Sequence, residues 1–275
     1  MKSKKLKIGN LFIIIVLILG AVIMVMPFWL MAVISFETNI ESMSIPPHLF
    51  PPQLYLQNYI KLFSQLNFGT YFLNTILVTI ALIISQVLFC AMAGYAFARL
   101  YFPFKNFVFL IYLSVEMIPA VVLIIPSYII ASKIHLVNSL WGVIVFLVFS
   151  GFGVFLYRQQ FLSMPVELEE AAVVDGANLW QIFWRIVFPL ASNVTISFGL
   201  LVFIFAWNQF LWPLIILSSS SKYTLQVGLA MMQGRYFGNW GMEEAGALVS
   251  ALPLIIIFVF AQKYIVRGIA TTGFK

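Results

Sequence analysis

Charge is scarce in this sequence: Asp, Glu, Lys and Arg together make up 9% of 275 residues, where a soluble domain carries about 25%. That shortage excludes a soluble fold of ordinary composition. There is a single cysteine, Cys90, set in an apolar run. Neither an intrachain disulfide nor a cysteine metal site is therefore available. Histidine occurs only at positions 48 and 135, and no glycine-rich phosphate loop is present. No acid and base fall together in a pattern suited to proton transfer. Catalysis has no visible home, so the sequence predicts a chain without catalytic residues, metal ligands or cofactor. If ATP is used, another chain must bind it.

What the chain has instead is apolar residues, 63% of the total, with a mean hydropathy of +1.04. Such values belong to a membrane protein. The formal net charge of +6 does not point to nucleic acid, because the basic residues are scattered and form no polar face. The fold expected is an all-α membrane protein of six transmembrane helices, a single domain over residues 1–275. The spans fall at about residues 11–35, 71–96, 106–130, 140–157, 191–217 and 246–266. Lys2, Lys4, Lys5 and Lys7 precede the first run. Its length exceeds that of a signal-peptide core, and it reads as an uncleaved span. Residues 36–67, with Pro46, Pro47, Pro51 and Pro52, read as an ordered or extended loop.

Orientation follows from Lys and Arg, which are disfavoured on the translocated side. With the N-terminus inside, eleven lie on the cytoplasmic side, while Lys61, Lys133, Lys222 and Arg235 lie outside. Both termini and residues 164–190 are thus expected in the cytoplasm.

Residues 164–190 carry no spanning run and hold Glu167, Glu169, Glu170 and Asp175, four of the nine acids. Pro165 suits a first helical turn, and the glutamates behind it complement a positive helix N-terminus. Gly176 is fitted to end that helix in the left-handed conformation, and Asn178 with Gln181 three residues on resembles a capping box. On the first helix Leu168, Ala171, Ala172 and Asp175 share a sector. On the second, Leu179, Ile182, Phe183, Ile186 and Val187 form an apolar stripe opposite Arg185. Pro189 is expected to break the helix.

The order Glu170-Ala171-Ala172, three residues, Gly176, nine residues, Ile186, one residue, Phe188-Pro189 resembles the EAA loop of ABC importer permeases, with Phe188 in place of leucine. The likeness extends along nearly the whole chain. It includes Ala93-Gly94-Tyr95-Ala96-Phe97-Ala98-Arg99, Phe102-Pro103, Met117-Ile118-Pro119, Ile125-Pro126, the run from Phe205 through Asn208-Gln209 to Trp212-Pro213, and Val266-Arg267-Gly268. These look like the carbohydrate-type subfamily, specifically the second permease subunit of maltose-like and glycerol-3-phosphate-like importers. The resemblance implies a type I importer permease in a bacterial or archaeal cytoplasmic membrane. Its partners would be a different second permease, two ATP-binding subunits and an extracytoplasmic solute-binding protein. It also implies that a cytoplasmic coupling helix between spans four and five docks on the ATPase through Glu170, Ala171, Ala172, Asp175, Gly176, Ile186 and Pro189. The tail from Arg267 resembles one that reaches the ATPase interface, and a positive-inside anchor is the plainer reading.

Three residues are candidates for the translocation path. Glu116 is a carboxylate in the third span, fitted either to a watery cavity or to a structural hydrogen bond beside Pro119. Asn208 and Gln209, between Trp207 and Trp212, suit either sugar hydroxyls and ring stacking or hydrogen bonds between helices. An ion-coupled secondary transporter and an importer of a non-carbohydrate solute are the rival readings. An intramembrane enzyme would need a catalytic constellation that is absent.

The charge distribution makes a direct prediction. Cysteines introduced at residues 132–139 react with impermeant reagent from outside intact cells, and those at 99–105 only from inside. The reverse pattern would invert the topology.

Overall fold

The computed structural model describes residues 8–235 and 238–270, with side chains over 12–233 and 238–261. Among these residues every regular element is helical. Helix α1 runs over Ile8–Ser35, and a proline-bearing loop leads to α2, Gln57–Gln65. A 32-residue helix, α3, follows at Phe68–Arg99. Two helices, α4 (Lys105–Ser114) and α5 (Ala120–Lys133), flank a short 3-10 turn at Val115–Met117. Next come α6 (Leu140–Val145), α7 (Gly151–Leu162), α8 (Glu167–Val174) and α9 (Leu179–Ile182). A π-helical turn at Phe183–Val187 joins α9 to α10, Phe188–Leu190. The chain continues as α11 (Ser192–Trp207), α12 (Leu211–Ile216), α13 (Leu225–Arg235) and α14 (Trp240–Ala270).

Three of these, over Phe12–Ser35, Phe68–Arg99 and Trp240–Ala261, are long and apolar enough to cross a membrane, or five if each of two bent pairs counts as one crossing. Six continuous spanning helices are therefore not present among the described residues. The stretch 106–130 is broken, and Lys105–Met117 meets Ala120–Lys133 at 101°. Ile118 is extended there (φ −82°, ψ 120°), as the residue before a proline prefers. The stretch 140–157 divides at Ser150, an extended N-cap whose Oγ accepts from Gly153 N–H at 3.2 Å. The stretch 191–217 divides between Trp207 and Leu211. A further 76° bend separates Leu179–Leu190 from Ser192–Trp207. A π-helical turn, in which Phe188 N–H reaches Phe183 O, leads into Pro189, and the helix ends one residue later at Leu190, close to where the proline is expected to break it.

Contacts group into two compact units, one of residues up to Phe68 with Leu229–Pro253, the other Gly69–Gly228 with Leu254 onward. In the first, Asn58 Nδ2 donates to the carbonyls of Ser35 (3.0 Å) and Glu37 (2.8 Å), fixing α2 to the end of α1. In the second, α3, α7 and α11 surround a core of Cys90, Tyr157, Phe161 and Phe198. Tyr157 Oη shares a 3.0 Å hydrogen bond with Thr195 Oγ1. Asn138, in the left-handed conformation (φ 57°), ties the 134–139 loop to residues 216–222. Its N–H donates to Ile216 O at 2.7 Å, its Oδ1 accepts from Ser219 N–H at 3.0 Å, and its carbonyl accepts from Lys222 Nζ at 2.6 Å.

Gly153 marks the closest approach in this core. A Cβ there would meet the Phe198 ring and lie 2.9 Å from Cys90 Sγ. Gly153→Val should therefore overpack the junction and cost about 1–3 kcal/mol. Reaction of the buried Cys90 with a thiol reagent during thermal unfolding in detergent reads this directly. An unchanged unfolding temperature would show that the neighbours yield without strain.

Candidate functional site

Residues 164–190 fold as two capped helices around a turn. Helix α8 starts at Glu167, just after Pro165, with Glu167, Glu169 and Glu170 in its first turn. Its end is a Schellman motif. Gly176 has φ +83°, its N–H donates to Val173 O at 3.0 Å, and Ala177 N–H reaches Ala172 O at 2.9 Å. The next helix opens with a complete capping box, Gln181 N–H to Asn178 Oδ1 and Asn178 N–H to Gln181 Oε1, each 2.9 Å. Both caps lie where their residue types predict.

The first expected sector divides between two faces. Ala172 is buried in the chain's own core, whereas Leu168, Glu170, Ala171 and Asp175 are exposed. Asp175 caps α8 from outside it. A Cβ on Gly176 would meet nothing within 4 Å, so only its backbone conformation demands glycine. On the second helix Ile182, Phe183 and Val187 are buried and Ile186 half-buried, but Leu179 is exposed. Pro189 is exposed as well. Phe188, which stands where the motif has leucine, packs edge-on against Trp184 with ring centres 5.2 Å apart, and 5.7 Å from Phe183.

What holds this hairpin to α3 is a residue the motif does not include. Glu169 Oε1 accepts from Arg99 Nε at 2.6 Å, Glu169 Oε2 from Tyr95 Oη at 2.9 Å, and Arg99 Nη2 donates to Met164 O at 2.7 Å. Both charged side chains are largely buried. Removing one partner strands the other charge, at a cost of about 3–5 kcal/mol. The signal was in the spacing, since Glu169 lies three residues before buried Ala172 and shares its face.

Glu116 lies in the 3-10 turn at the α4–α5 break and is exposed. Its Oε1 accepts from Gly151 N–H at 2.6 Å, at the N-terminus of α7, where the helix dipole favours a carboxylate. Asn208 sits at the C-terminal end of α11, exposed, with Nδ2 donating to Ile204 O of its own helix at 2.8 Å. It thus serves its own turn. Gln209 is half-buried in the following break. The two flanking tryptophans are both buried inside the protein. Trp207 stacks on Phe203 at 5.5 Å, and Trp212 Nε1 donates to Gly142 O at 3.1 Å. At the C-terminus, Val266-Arg267-Gly268 continue the backbone of α14, and the tail beyond Ala270 lies outside the described residues.

The family model for the binding-protein-dependent transport system inner membrane component matches residues 86–271. The chain is 34% identical over 258 residues to the arabinooligosaccharides transport system permease protein AraQ of Halalkalibacterium halodurans, covering 93% of this chain and 92% of that one. It is 29% identical over 268 residues to the sn-glycerol-3-phosphate transport system permease protein UgpE of Yersinia pestis, covering 94% and 95%. In fold it is similar to a chain of a bacterial ABC transporter involved in the import of the acidic polysaccharide alginate. The TM-score is 0.83 at 23% identity, over 96% of this chain and 99% of that one. The protein therefore belongs to the inner membrane components of binding-protein-dependent transport systems, the permease subunits of ABC importers.

Proposed function

We propose that this chain forms half of the translocation path of an ATP-driven importer for a carbohydrate or related solute, such as a sugar, oligosaccharide, polyol or glycerol 3-phosphate. The relatives named for arabinooligosaccharides and sn-glycerol 3-phosphate support that substrate class. The chain acts as one transmembrane domain crossing six times, with the broken stretches counted as crossings and both termini in the cytoplasm. Its partners are a second, different permease, two ATP-binding subunits and an extracytoplasmic binding protein. Nucleotide, magnesium and hydrolysis belong to the ATP-binding subunits.

The observation that carries this reading is the capped hairpin α8–α9. Glu169 and Arg99 fix its base, and Glu170, Ala171, Val174 and Trp180 are left exposed on it. Exposed apolar side chains on a rigid loop mark a docking surface. ATP-driven closure of the partner subunits would push this hairpin. The Glu169–Arg99 pair would pass the movement to α3, and the spans would swing to open a central path outward. Glu116, Asn208 and Gln209 are the residues proposed to line it. Co-purification of an ATP-binding subunit, with ligand screening of the cognate binding protein, tests the assignment. A chain that transports alone on an ion gradient would sink it.

Glu116→Gln keeps an oxygen to accept from Gly151 N–H but removes the charge. Uptake by the reconstituted complex is expected to fall while recovery of the ATPase in pull-down stays unchanged. Normal uptake would leave the carboxylate as a helix cap only, in which case Glu116→Ala alone is harmful.

A residue with a Cβ pays about 1–2 kcal/mol to adopt the left-handed conformation held at Gly176, and β-branching adds to it. Gly176→Val is therefore expected to insert normally yet weaken ATPase binding or abolish the stimulation of hydrolysis by liganded binding protein in liposomes. Coupling equal to that of the parent would remove the mechanical role from this turn.

A further inference from the structure

The loop between α1 and α2 carries an apolar surface that the transport path does not use. Ile45, Phe50 and Leu54 are 95%, 70% and 72% exposed. No Asp, Glu, Lys or Arg occurs from Ser42 to Ile60. The one imidazole there, His48, is partly exposed, its Nδ1 lying 2.9 Å from Glu37 Oε1 and 3.2 Å from Ser44 Oγ. The loop is well tied. Tyr55 N–H donates to Phe36 O at 2.8 Å, and Glu41 Oε2 accepts from Thr38 N–H at 2.9 Å and Thr38 Oγ1 at 2.8 Å. These bonds hold the apolar side chains outward in a fixed shape.

Its level along α1 is set by Trp29. The indole Nε1 donates to Leu49 O at 2.8 Å, and the Phe50 ring meets the Trp29 ring edge-on at 5.7 Å. Trp29 precedes the helix end at Ser35 by six residues, about 9 Å along the axis. Helical side chains also lean toward the N-terminus. Leu49 and Phe50 therefore lie beside the last turns of α1, not beyond them. The 28 residues of α1 measure about 42 Å, against about 30 Å of hydrocarbon and about 40–45 Å with both headgroup layers. The final turns occupy the headgroup layer, where tryptophan is favoured.

We propose that residues 45–54 are an interfacial membrane anchor. The loop folds back along α1 and sinks Ile45, Leu49, Phe50 and Leu54 into the boundary between phospholipid headgroups and acyl chains, in the leaflet where α1 ends. At that depth water still reaches irregular backbone, which the hydrocarbon core would not tolerate. Lipid is the occupant that fits. Its side chains lie beside the last turns of a helix long and apolar enough to cross the membrane, and the charged groups that border the loop, Glu41, which accepts from Gln53 Nε2 at 3.4 Å, and Lys61, suit the headgroup layer. The argument holds for either orientation of α1.

The test uses the complete transporter in phosphatidylethanolamine–phosphatidylglycerol vesicles. Single cysteines at Phe50 or Leu54, in a Cys90→Ala background, carry a nitroxide whose collisions with oxygen and with a water-soluble nickel chelate are compared. Met24→Cys on exposed α1 and Ser221→Cys in an exposed loop give the lipid and water references. Both loop labels should collide more with oxygen than with nickel, a ratio above one, as at position 24. A ratio below one, as at 221, would place the loop in water and overturn the proposal. Poor collision with both reagents would mean that protein covers the loop, and would overturn it equally.

Discussion

Where a helix breaks inside a bilayer, backbone N–H and C=O groups lose their partners in a medium that has no water to replace them. This chain breaks its apolar stretches repeatedly, and side chains take over at the breaks. Glu116 accepts from Gly151 N–H at the start of α7, and Ser150 accepts from Gly153 N–H. Gln86, from the middle of α3, donates to Leu147 O at 2.6 Å, and Trp212 donates to Gly142 O. The few polar residues of an otherwise apolar sequence are spent there, which explains how so little charge sustains so irregular a path.

The hairpin at residues 164–190 obeys a different constraint. In the proposed coupling role it must be stiff within itself and firmly based, since a soft lever loses the movement it should transmit. Stiffness comes from local chemistry, the Schellman turn at Gly176 and the capping box at Asn178. The base comes from long-range chemistry, the pairing of Glu169 with Arg99 at the end of α3. Phe183, Trp184 and Phe188 fill the space along the second helix, and Trp180, 5.5 Å from Trp184, stands at the exposed edge of this cluster. That filling gives phenylalanine a reason to stand at 188.

The two candidate surfaces differ in how far their residues reveal them. The hairpin's turn and caps are nearest-neighbour matters, so glycine, asparagine and glutamine at the right offsets suffice to predict them. The roles of Trp207 and Trp212 depended on which way each ring points, and both rings turned into the core. Hydropathy located the apolar stretches but was blind to their breaks at Ile118, Ser150 and Asn208. A window average does not register whether one residue in it is extended.

By itself the sequence determined the all-helical class, the membrane setting and the local geometry of the hairpin, because hydropathy, cap chemistry and left-handed turns act over a few residues. Tertiary structure decided the rest. It decided which alanine of the Glu170-Ala171-Ala172 run faces inward, which glutamate anchors the hairpin, and that Glu116 caps α7 across a sequence separation of 35. Those outcomes depend on which segments meet. With most residues apolar everywhere, no pattern along the chain distinguishes a side that meets lipid from a side that meets another helix.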